Sequence, residues 1–246
     1  MPLTASTRSS KGRKSRTAIQ TTRVARVSSG QDIYVAPKPA EAVAPNRQDG
    51  AVEIDRLRRQ SVFREGMASG TIYEIIEGSV IIFKTLADGR RQIFDILGPG
   101  SLIGNAAGQT YNYSAECLTK CRLLKYSPNE VAVSATLQQR LSQQLLRMIE
   151  ALQEHALLLG RRTAMERIAS FLLALPQLSI RLGRQPGEGL LQTALKQRDI
   201  GDYLGLKVET VSRNLAILKR RTIIATGKRG QFRLLDMAAL QRMANP

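Results

Sequence analysis

The chain has 246 residues, with 37 lysines and arginines against 20 acidic residues and a formal net charge of +17. This length suffices for two domains, and such a charge favours a polyanionic partner, with nucleic acid ahead of an acidic membrane surface. One histidine and two cysteines exclude multi-histidine metal sites and a disulfide scaffold; no apolar run approaches the roughly 20 residues of a membrane span, and no catalytic motif points to an enzyme.

Residues 1–52 are expected to form a disordered basic tail. The first 30 residues hold seven lysines and arginines, no acidic residue and few apolar ones, which is too little apolar surface for a folded core. An organellar transit peptide has a similar composition, but the amphipathic stripe of such a peptide is missing. A flexible tail that adds non-specific DNA affinity is favoured, while a membrane-surface role stays open but lacks hydrophobic anchors.

Residues 53–127 predict a β-rich domain. Short runs rich in Ile, Val, Phe and Tyr alternate with glycine turns. The dipeptides Glu77-Gly78 and Asp88-Gly89 predict turns on either side of a strand that starts at Val80. Regularly spaced strands of this kind are typical of an antiparallel roll or barrel.

Cys117 and Cys121 are expected to be two ordinary thiols. The surrounding sequence SAECLTKCRLLKY alternates like one strand, on which residues four apart lie roughly 13 Å from each other. That separation exceeds the reach of a disulfide and suits no shared metal. A redox-sensing thiol stays open as an alternative.

Residues 128–160 predict a long helix that mediates dimerisation. Its apolar residues recur at spacings of four and three, a short heptad pattern that suits a two-stranded coiled coil. The alternative is a helix that packs on its own β-domain. His155 is interpreted as a packed polar residue rather than a haem ligand, and its protonation is expected to weaken the dimer. The expected seam consists of Leu141, Leu145, Met148, Leu152, His155 and Leu159.

The next segment leads towards a second domain, residues 161–246. The run ERIASFLLAL, residues 166–175, predicts a helix with one apolar face, and Pro176 is expected to end it. Residues 181–189 predict a polar loop, and residues 190–195 predict a short strand.

The stretch Gln197 to Lys219 predicts two short helices around a tight turn. Gly205 falls where such a turn needs a left-handed backbone, which glycine adopts without a Cβ penalty. Gly201 is small where the two helices cross closely. The apolar faces of the helices are given by Ile200, Tyr203 and Leu204, and by Val211, Leu215 and Leu218.

Several side chains near the start of the second helix lie outside its apolar stripe, and their types suit recognition of DNA bases. A recognition helix points its N-terminal side chains at base edges, where arginine pairs with guanine and glutamate accepts from cytosine. An acidic residue beside an arginine indicates base reading rather than a phosphate grip. The alternative is a helical hairpin with a solvated charged face. The expected base contacts are Val208, Glu209, Ser212 and Arg213.

Two strand-like runs, residues 222–225 and 231–235, flank a basic turn and predict a β-hairpin, followed by a short helix over 237–243. In a winged helix–turn–helix such a wing contacts the phosphate backbone; solvated turn charges are the alternative. The expected phosphate or accessory contacts are Arg198, Lys207, Lys219, Lys228 and Arg229.

The helix–turn–helix, above all the run ETVSR from Glu209 to Arg213, resembles the CRP/FNR superfamily of bacterial transcription regulators, in its FNR/FixK branch. The similarity covers about residues 55–240. It implies an α+β fold with an N-terminal antiparallel β-roll similar to a cyclic-nucleotide-binding domain, a long dimerisation helix and a C-terminal winged helix–turn–helix.

The resemblance also bears on cofactors. Nucleotide-binding members have a Gly-Glu pair and an Arg-Ser pair where this chain has Gly104-Asn105 and Tyr113-Ser114. Tyr113 offers a phosphate no cationic fork, so no cyclic nucleotide is expected. Oxygen-sensing members hold an iron–sulfur cluster with N-terminal cysteines, but no cysteine precedes Cys117 here. Neither a cofactor nor a metal is therefore expected.

By resemblance, the chain is a cytoplasmic homodimeric regulator, an activator that binds double-stranded DNA at a palindromic TTGAT-N4-ATCAA-type site and contacts RNA polymerase. Low-oxygen, respiratory or nitrogen-fixation control is implied in the same way. Val208 stands where the cAMP-dependent branch has arginine, which favours this half-site over the TGTGA type. A ligand-gated sensor that responds to a gas, haem or metabolite is the alternative; a signalling module without DNA binding is opposed by the helix–turn–helix and the wing. No membrane partner is expected.

Overall fold

The computed structural model describes residues 51–105, 108–183, 190–227 and 230–245. The predicted basic tail therefore lies outside the described residues, except for its last two positions. So do two residues at the tip of the predicted wing, Lys228 and Arg229.

Eight strands in the N-terminal half pair antiparallel and form two four-stranded sheets. The strand orders are β1-β8-β3-β6 and β2-β7-β4-β5, which confirms the predicted antiparallel β-roll. Turns at the two predicted dipeptides, Glu77-Gly78 and Asp88-Gly89, connect β3 to β4 and β4 to β5. The strands are β1 (Val52–Arg56), β2 (Ser61–Phe63), β3 (Ile72–Glu77), β4 (Val80–Thr85), β5 (Arg91–Leu97), β6 (Leu102–Ile103), β7 (Ser114–Cys117) and β8 (Cys121–Tyr126).

Two helices, α1 (Pro128–Val133) and α2 (Ala135–Arg161), replace the single helix that the sequence predicts. The break lies at Ser134, whose backbone is extended and whose hydroxyl accepts a hydrogen bond from the Leu137 amide at 3.3 Å. Serine caps helices in this way because its side chain satisfies one of the free amides of the first turn. α2 is the long helix that follows the roll.

Helix α3 (Ala164–Arg181) runs through Pro176, so the expectation that this proline ends the helix is wrong. A proline inside a helix removes one amide hydrogen bond and crowds the preceding turn. Here the residues beyond it, Leu178 and Ser179, are buried, and their packing holds the last turn in place.

The C-terminal part contains a helical pair next to a small sheet. Its elements are β9 (Leu190–Gln192), α4 (Gln197–Leu204), α5 (Val208–Arg220), β10 (Ile224–Thr226), β11 (Gln231–Leu234) and α6 (Met237–Ala244). The sheet has the strand order β10-β11-β9 and is antiparallel. α4 and α5 form the predicted helix–turn–helix, and the β10–β11 hairpin is the wing.

One apolar cluster extends from the roll into the C-terminal helices. It joins Ile93 and Ile96 of β5 to Leu158 of α2, and from there to α3, α4 and α5. A second cluster fills the interior of the roll around Phe63 and Ile75. Since each buried large aliphatic side chain contributes about 1.5–3 kcal/mol, the shared cluster binds the helix–turn–helix firmly to the roll.

Candidate nucleic-acid interface

The helix–turn–helix depends on two glycines. Gly205 ends α4 in the left-handed region, with φ 63°, as the turn requires. A Cβ on Gly201 would lie 2.6 Å from the carbonyl oxygen of Leu206, so only glycine lets the turn approach α4 so closely. The six predicted apolar residues of the two helices are all buried. α4 and α5 are thus locked into one unit.

The first turns of α5 present the four predicted base contacts to solvent. Val208 is 40% exposed, and Glu209, Ser212 and Arg213 are exposed as well. They lie away from the buried stripe around Val211. Asn214, which interrupts the apolar pattern, donates from Nδ2 to the Thr210 carbonyl oxygen at 2.8 Å and so bonds within its own helix. The exposed set combines an arginine, a carboxylate, a hydroxyl and an aliphatic group, which can read base edges in a major groove.

A cleft of about 530 Å³ lies between the start of α4, the helix α5 and the wing. Three cations line it, Arg58, Lys196 and Lys219. Of the predicted phosphate contacts, Arg198, Lys207 and Lys219 are exposed, whereas the other two lie outside the described residues. A basic cleft beside a recognition helix suits the phosphate backbone.

Sequence reasoning missed two of the three cations in the cleft. Lys196 precedes α4, and a positive residue at the start of a helix is not by itself distinctive. Arg58 comes from the turn between β1 and β2, and its Nη2 donates to the carbonyl oxygen of Ala194 at 3.2 Å. Because 136 residues separate these two partners, no local pattern could have revealed the contact.

The roll interior satisfies its own polar groups at the positions where nucleotide-binding relatives would hold a ligand. The hydroxyl of Tyr113 accepts a hydrogen bond from the Gly104 amide at 3.0 Å and donates to Oδ1 of Asn105 at 3.4 Å. Ser114 Oγ accepts from the Glu65 amide at 3.0 Å. Burial raises the pKa of Tyr113, so the hydroxyl keeps its proton and its hydrogen bonds.

Aromatic rings fill the space beside these groups. Phe63 lies against Tyr111 with ring centroids 4.0 Å apart, and against Tyr113 at 5.3 Å. Phe63, Tyr111 and Tyr113 are 2%, 3% and 7% exposed, respectively. A cyclic nucleotide at this place would have to displace packed rings as well as hydrogen bonds.

The expectation that Cys117 and Cys121 lie far apart on one strand is wrong. Cys117 ends β7 and Cys121 begins β8, so a three-residue turn brings the thiols together. A hydrogen bond to Cys121, followed by burial, raises the pKa of Cys117, while the same bond lowers the pKa of Cys121 to about 7. Both thiols are free and at most 1% exposed. Among the described residues, no group of three or more His, Cys, Asp or Glu could hold a metal ion.

Helix α2 has an inner face that packs on the rest of the chain. Ala151, His155 and Leu158 are buried, and Met148 packs against the core of the roll. Met148 and His155, which the sequence assigned to a dimer seam, therefore belong to the inner face. Leu141 likewise packs against a cluster at the end of the roll.

The outer face of α2 is apolar and exposed. Leu145, Ile149 and Leu152 are 42%, 52% and 40% exposed. Together with Ala156 and Leu159 they repeat at spacings of four and three residues. Ile149 and Ala156 of this face directly follow Met148 and His155 of the inner face in the sequence. No helix in the described part of the chain is both long enough and apolar enough to cross a bilayer.

Two family models match the chain. Residues 166–243 match a Crp-like helix-turn-helix domain, and residues 56–132 match a cyclic nucleotide-binding domain. The two matches coincide with the winged helix–turn–helix and the β-roll, so the sequence families agree with the fold.

Similar proteins align with most of the chain. The nitrogen fixation regulation protein FixK of Azorhizobium caulinodans is 34% identical over 192 residues, which cover 76% of each chain. The transcriptional activatory protein AadR of Rhodopseudomonas palustris is 32% identical over 197 residues, covering 76% of this chain and 78% of AadR. The solved structure of FixK2 from Bradyrhizobium japonicum superposes with a TM-score of 0.70 at 29% identity, covering 80% of this chain and 98% of FixK2. These relatives are regulators rather than enzymes. The chain therefore belongs to the CRP/FNR superfamily of DNA-binding transcription regulators, in its FixK-like branch.

Proposed function

We propose that the protein is a homodimeric transcription activator that reads a palindromic TTGAT-N4-ATCAA-type promoter site without a bound effector. The observation that carries this proposal is the exposed set at the start of α5, Val208, Glu209, Ser212 and Arg213. Arg213 pairs with guanine O6 and N7, and Glu209 accepts from cytosine N4 of the same base pair. Val208 packs on a thymine methyl group, and Ser212 bonds a base or a phosphate.

The outer face of α2 supports the dimer. Leu145, Ile149 and Leu152 would leave a row of large apolar side chains in water, whereas a second copy of α2 buries them in a coiled-coil seam. A dimer with two-fold symmetry presents two recognition helices to two half-sites of a palindrome. The proposed seam contains Leu145, Ile149, Leu152, Ala156 and Leu159.

The filled interior of the roll supports action without an effector. Tyr113 uses the amide of Gly104 and the side chain of Asn105, and the ring of Phe63, which meets Tyr113 edge-on, occupies the neighbouring space. A gas, haem or metabolite sensor needs groups that can hold a ligand, and none of the observations on the roll favours one.

The setting of the proposed function follows from the relatives. An activator of this class works in the cytoplasm and contacts RNA polymerase. The printed names of the similar proteins include nitrogen fixation regulation and transcriptional activation. We extend them to this chain as low-oxygen, respiratory or nitrogen-fixation control.

Binding to a TTGAT-N4-ATCAA duplex and to a TGTGA-type duplex, without effector and across a salt series, tests the proposal. The wild-type protein should prefer the first duplex, and Arg213→Ala should weaken binding to that duplex by about 1–3 kcal/mol. The matched variant Lys219→Ala removes a positive charge from the same helix. It should weaken binding to both duplexes alike and lower the salt slope by about one. Equal binding of the wild type to both duplexes contradicts the proposal.

A further inference from the structure

A cluster of five charged side chains connects the roll to α4, the first helix of the helix–turn–helix. Two arginines of the roll, Arg59 and Arg91, face three carboxylates, Glu116 of β7 and Asp199 and Asp202 of α4. We call this group the interdomain ion cluster. Asp199 lies in the first turn of α4 and Asp202 one turn later, and none of the five side chains belongs to the DNA-facing set.

Asp199 is the centre of the cluster. Its carboxylate is 1% exposed and receives both guanidinium nitrogens of Arg59, Nη1 to Oδ1 at 3.0 Å and Nη2 to Oδ2 at 2.6 Å. It also accepts a hydrogen bond from the amide of the N-cap residue Lys196 at 2.9 Å, which helps to cap the N-terminus of α4. Burial alone would raise the pKa of Asp199, but the hydrogen bonds from Arg59 and the amide hold it below its ordinary value. The carboxylate therefore stays charged at neutral pH.

Arg91 joins the same helix one turn later. Its Nε and Nη2 donate to Oδ2 of Asp202 at 3.0 and 2.8 Å, and Nη2 also reaches Asp199 at 3.2 Å. The guanidinium lies 5.0 Å above the ring centroid of Phe83, which fixes its plane. Next to it, Gln92 donates to the Tyr203 carbonyl oxygen at 3.2 Å. Contacts at Asp199, Asp202 and Tyr203 thus fix both the position and the rotation of α4.

The backbone conformation of Arg59 directs its side chain towards α4. Its φ is 68°, a left-handed conformation that is uncommon for a residue with a side chain. Its amide donates to the Cys117 carbonyl oxygen at 2.7 Å, and its Nη1 donates to Glu116 at 3.0 Å. The roll holds the β1–β2 turn in a strained form that directs a guanidinium at α4.

We infer that Arg59 and Arg91 are positioning residues for DNA recognition, which set the orientation of the recognition helix through the interdomain ion cluster. α4 and α5 move as one unit because of the close contact between Gly201 and Leu206. Fixing α4 against the roll therefore fixes α5. In a dimer that meets two half-sites about 34 Å apart, this orientation decides whether both helices enter the groove together. The inference rests on the proposed function.

Charge exchange between Arg91 and Asp202 tests it. Arg91→Glu and the milder Asp202→Asn should each weaken binding to the palindromic duplex, by about 5- to 150-fold for the former, the usual range for coupling between sites. Binding to a duplex with a single half-site should stay close to the wild-type value. The double variant Arg91→Glu, Asp202→Arg should regain affinity for the palindromic duplex. Arg90→Glu is the matched control, since Arg90 is adjacent, 76% exposed and paired only with Asp88 among the ion pairs described.

Hydrogen exchange of the α4 amides in the DNA-free protein separates the inference from the proposed function. Arg91→Glu should speed this exchange, and the double variant should slow it again. If the wild type binds the palindromic duplex no better than other duplexes while the exchange rates change as expected, the proposed function fails and the cluster still fixes α4. If wild-type DNA binding is specific but Arg91→Glu changes neither exchange nor binding, the inference is overturned. An equal loss on palindrome and half-site would also overturn it, because that result indicates damage to α5 itself.

Discussion

The imidazole of His155 stacks on the ring of Tyr203 with centroids 4.5 Å apart, and its Nε2 donates to the Tyr203 carbonyl oxygen at 2.7 Å. The first residue belongs to α2, and the second belongs to α4. A helix that faces a proposed partner on one side is thus hydrogen-bonded to the DNA-reading unit on the other. The carbonyl oxygen can only accept, so Nε2 carries a proton.

Acid should weaken the folded state through this histidine. Burial lowers the pKa of His155 below its ordinary value of 6.5, and the opposing effects of the hydrogen bond to Tyr203 and of the Asp95 charge do not reverse the shift. Just below that pH the unfolded chain binds more protons than the folded chain. The free energy of unfolding is therefore highest above about pH 6.5 and falls as the pH decreases. The loss is about 1.4 kcal/mol per unit of difference between the pKa values of His155 in the folded and unfolded states. Urea unfolding of the wild type and His155→Gln between about pH 8 and pH 5.5 measures the effect. Parallel curves for the two proteins would contradict it.

Val208→Arg should shift the half-site preference towards the TGTGA type. An arginine at this position can reach guanine bidentately, whereas the valine side chain is proposed to pack on a methyl group, and one such pair is worth about 1–3 kcal/mol. Competition between the two duplexes at fixed salt measures the shift. Ala238→Arg, which adds the same charge at an exposed position of α6, should leave the ratio unchanged. The same ratio in both variants would remove Val208 from the base contacts.

Ile149→Glu should dissociate the proposed dimer. Ile149 is 52% exposed on the outer face of α2, and a seam would bring its carboxylate against its own copy in an apolar contact, where burial of a charge is unfavourable. Sedimentation equilibrium at several concentrations reports the association constant. Leu157→Glu makes the same change at a residue that is 59% exposed but outside the heptad positions, and this variant should remain dimeric. Equal behaviour of the two variants would argue against the seam.

Tyr113→Phe should lower the free energy of unfolding by about 1–3 kcal/mol, because the buried amide of Gly104 loses its acceptor. The ring itself is retained, so the packing against Phe63 changes little. Chemical denaturation measures the difference. Added cyclic nucleotide should not raise the stability of either protein. A variant as stable as the wild type would show that the hydroxyl contributes nothing to holding the roll closed.

The parts of the fold that local pattern specifies were predicted correctly. Glu77-Gly78 and Asp88-Gly89 form the turns expected of them, and the glycine at position 205 ends α4 in the left-handed region. In each case the signal depends on a few adjacent residues whose backbone preferences are strong. The run Glu209 to Arg213 identified the family for the same reason.

The errors arose where two arrangements give the same pattern. Alternation continues from Cys117 to Cys121 although a turn separates them, so spacing alone hid their contact. On α2 an inner and an outer apolar face differ by a single position, and heptad counting assigned Met148 and His155 to the wrong one of the two. The pairing of Arg59 with Asp199 spans 140 residues and depends on tertiary structure alone.

The closed interior of the roll has a consequence for how a cell would control such a regulator. Under the proposed function no small molecule sets the fraction of active protein, so the number of copies becomes the control variable. At low copy number the dimer concentration rises with the square of the monomer concentration, and promoter occupancy follows it. Synthesis and degradation of the chain would then control promoter occupancy steeply.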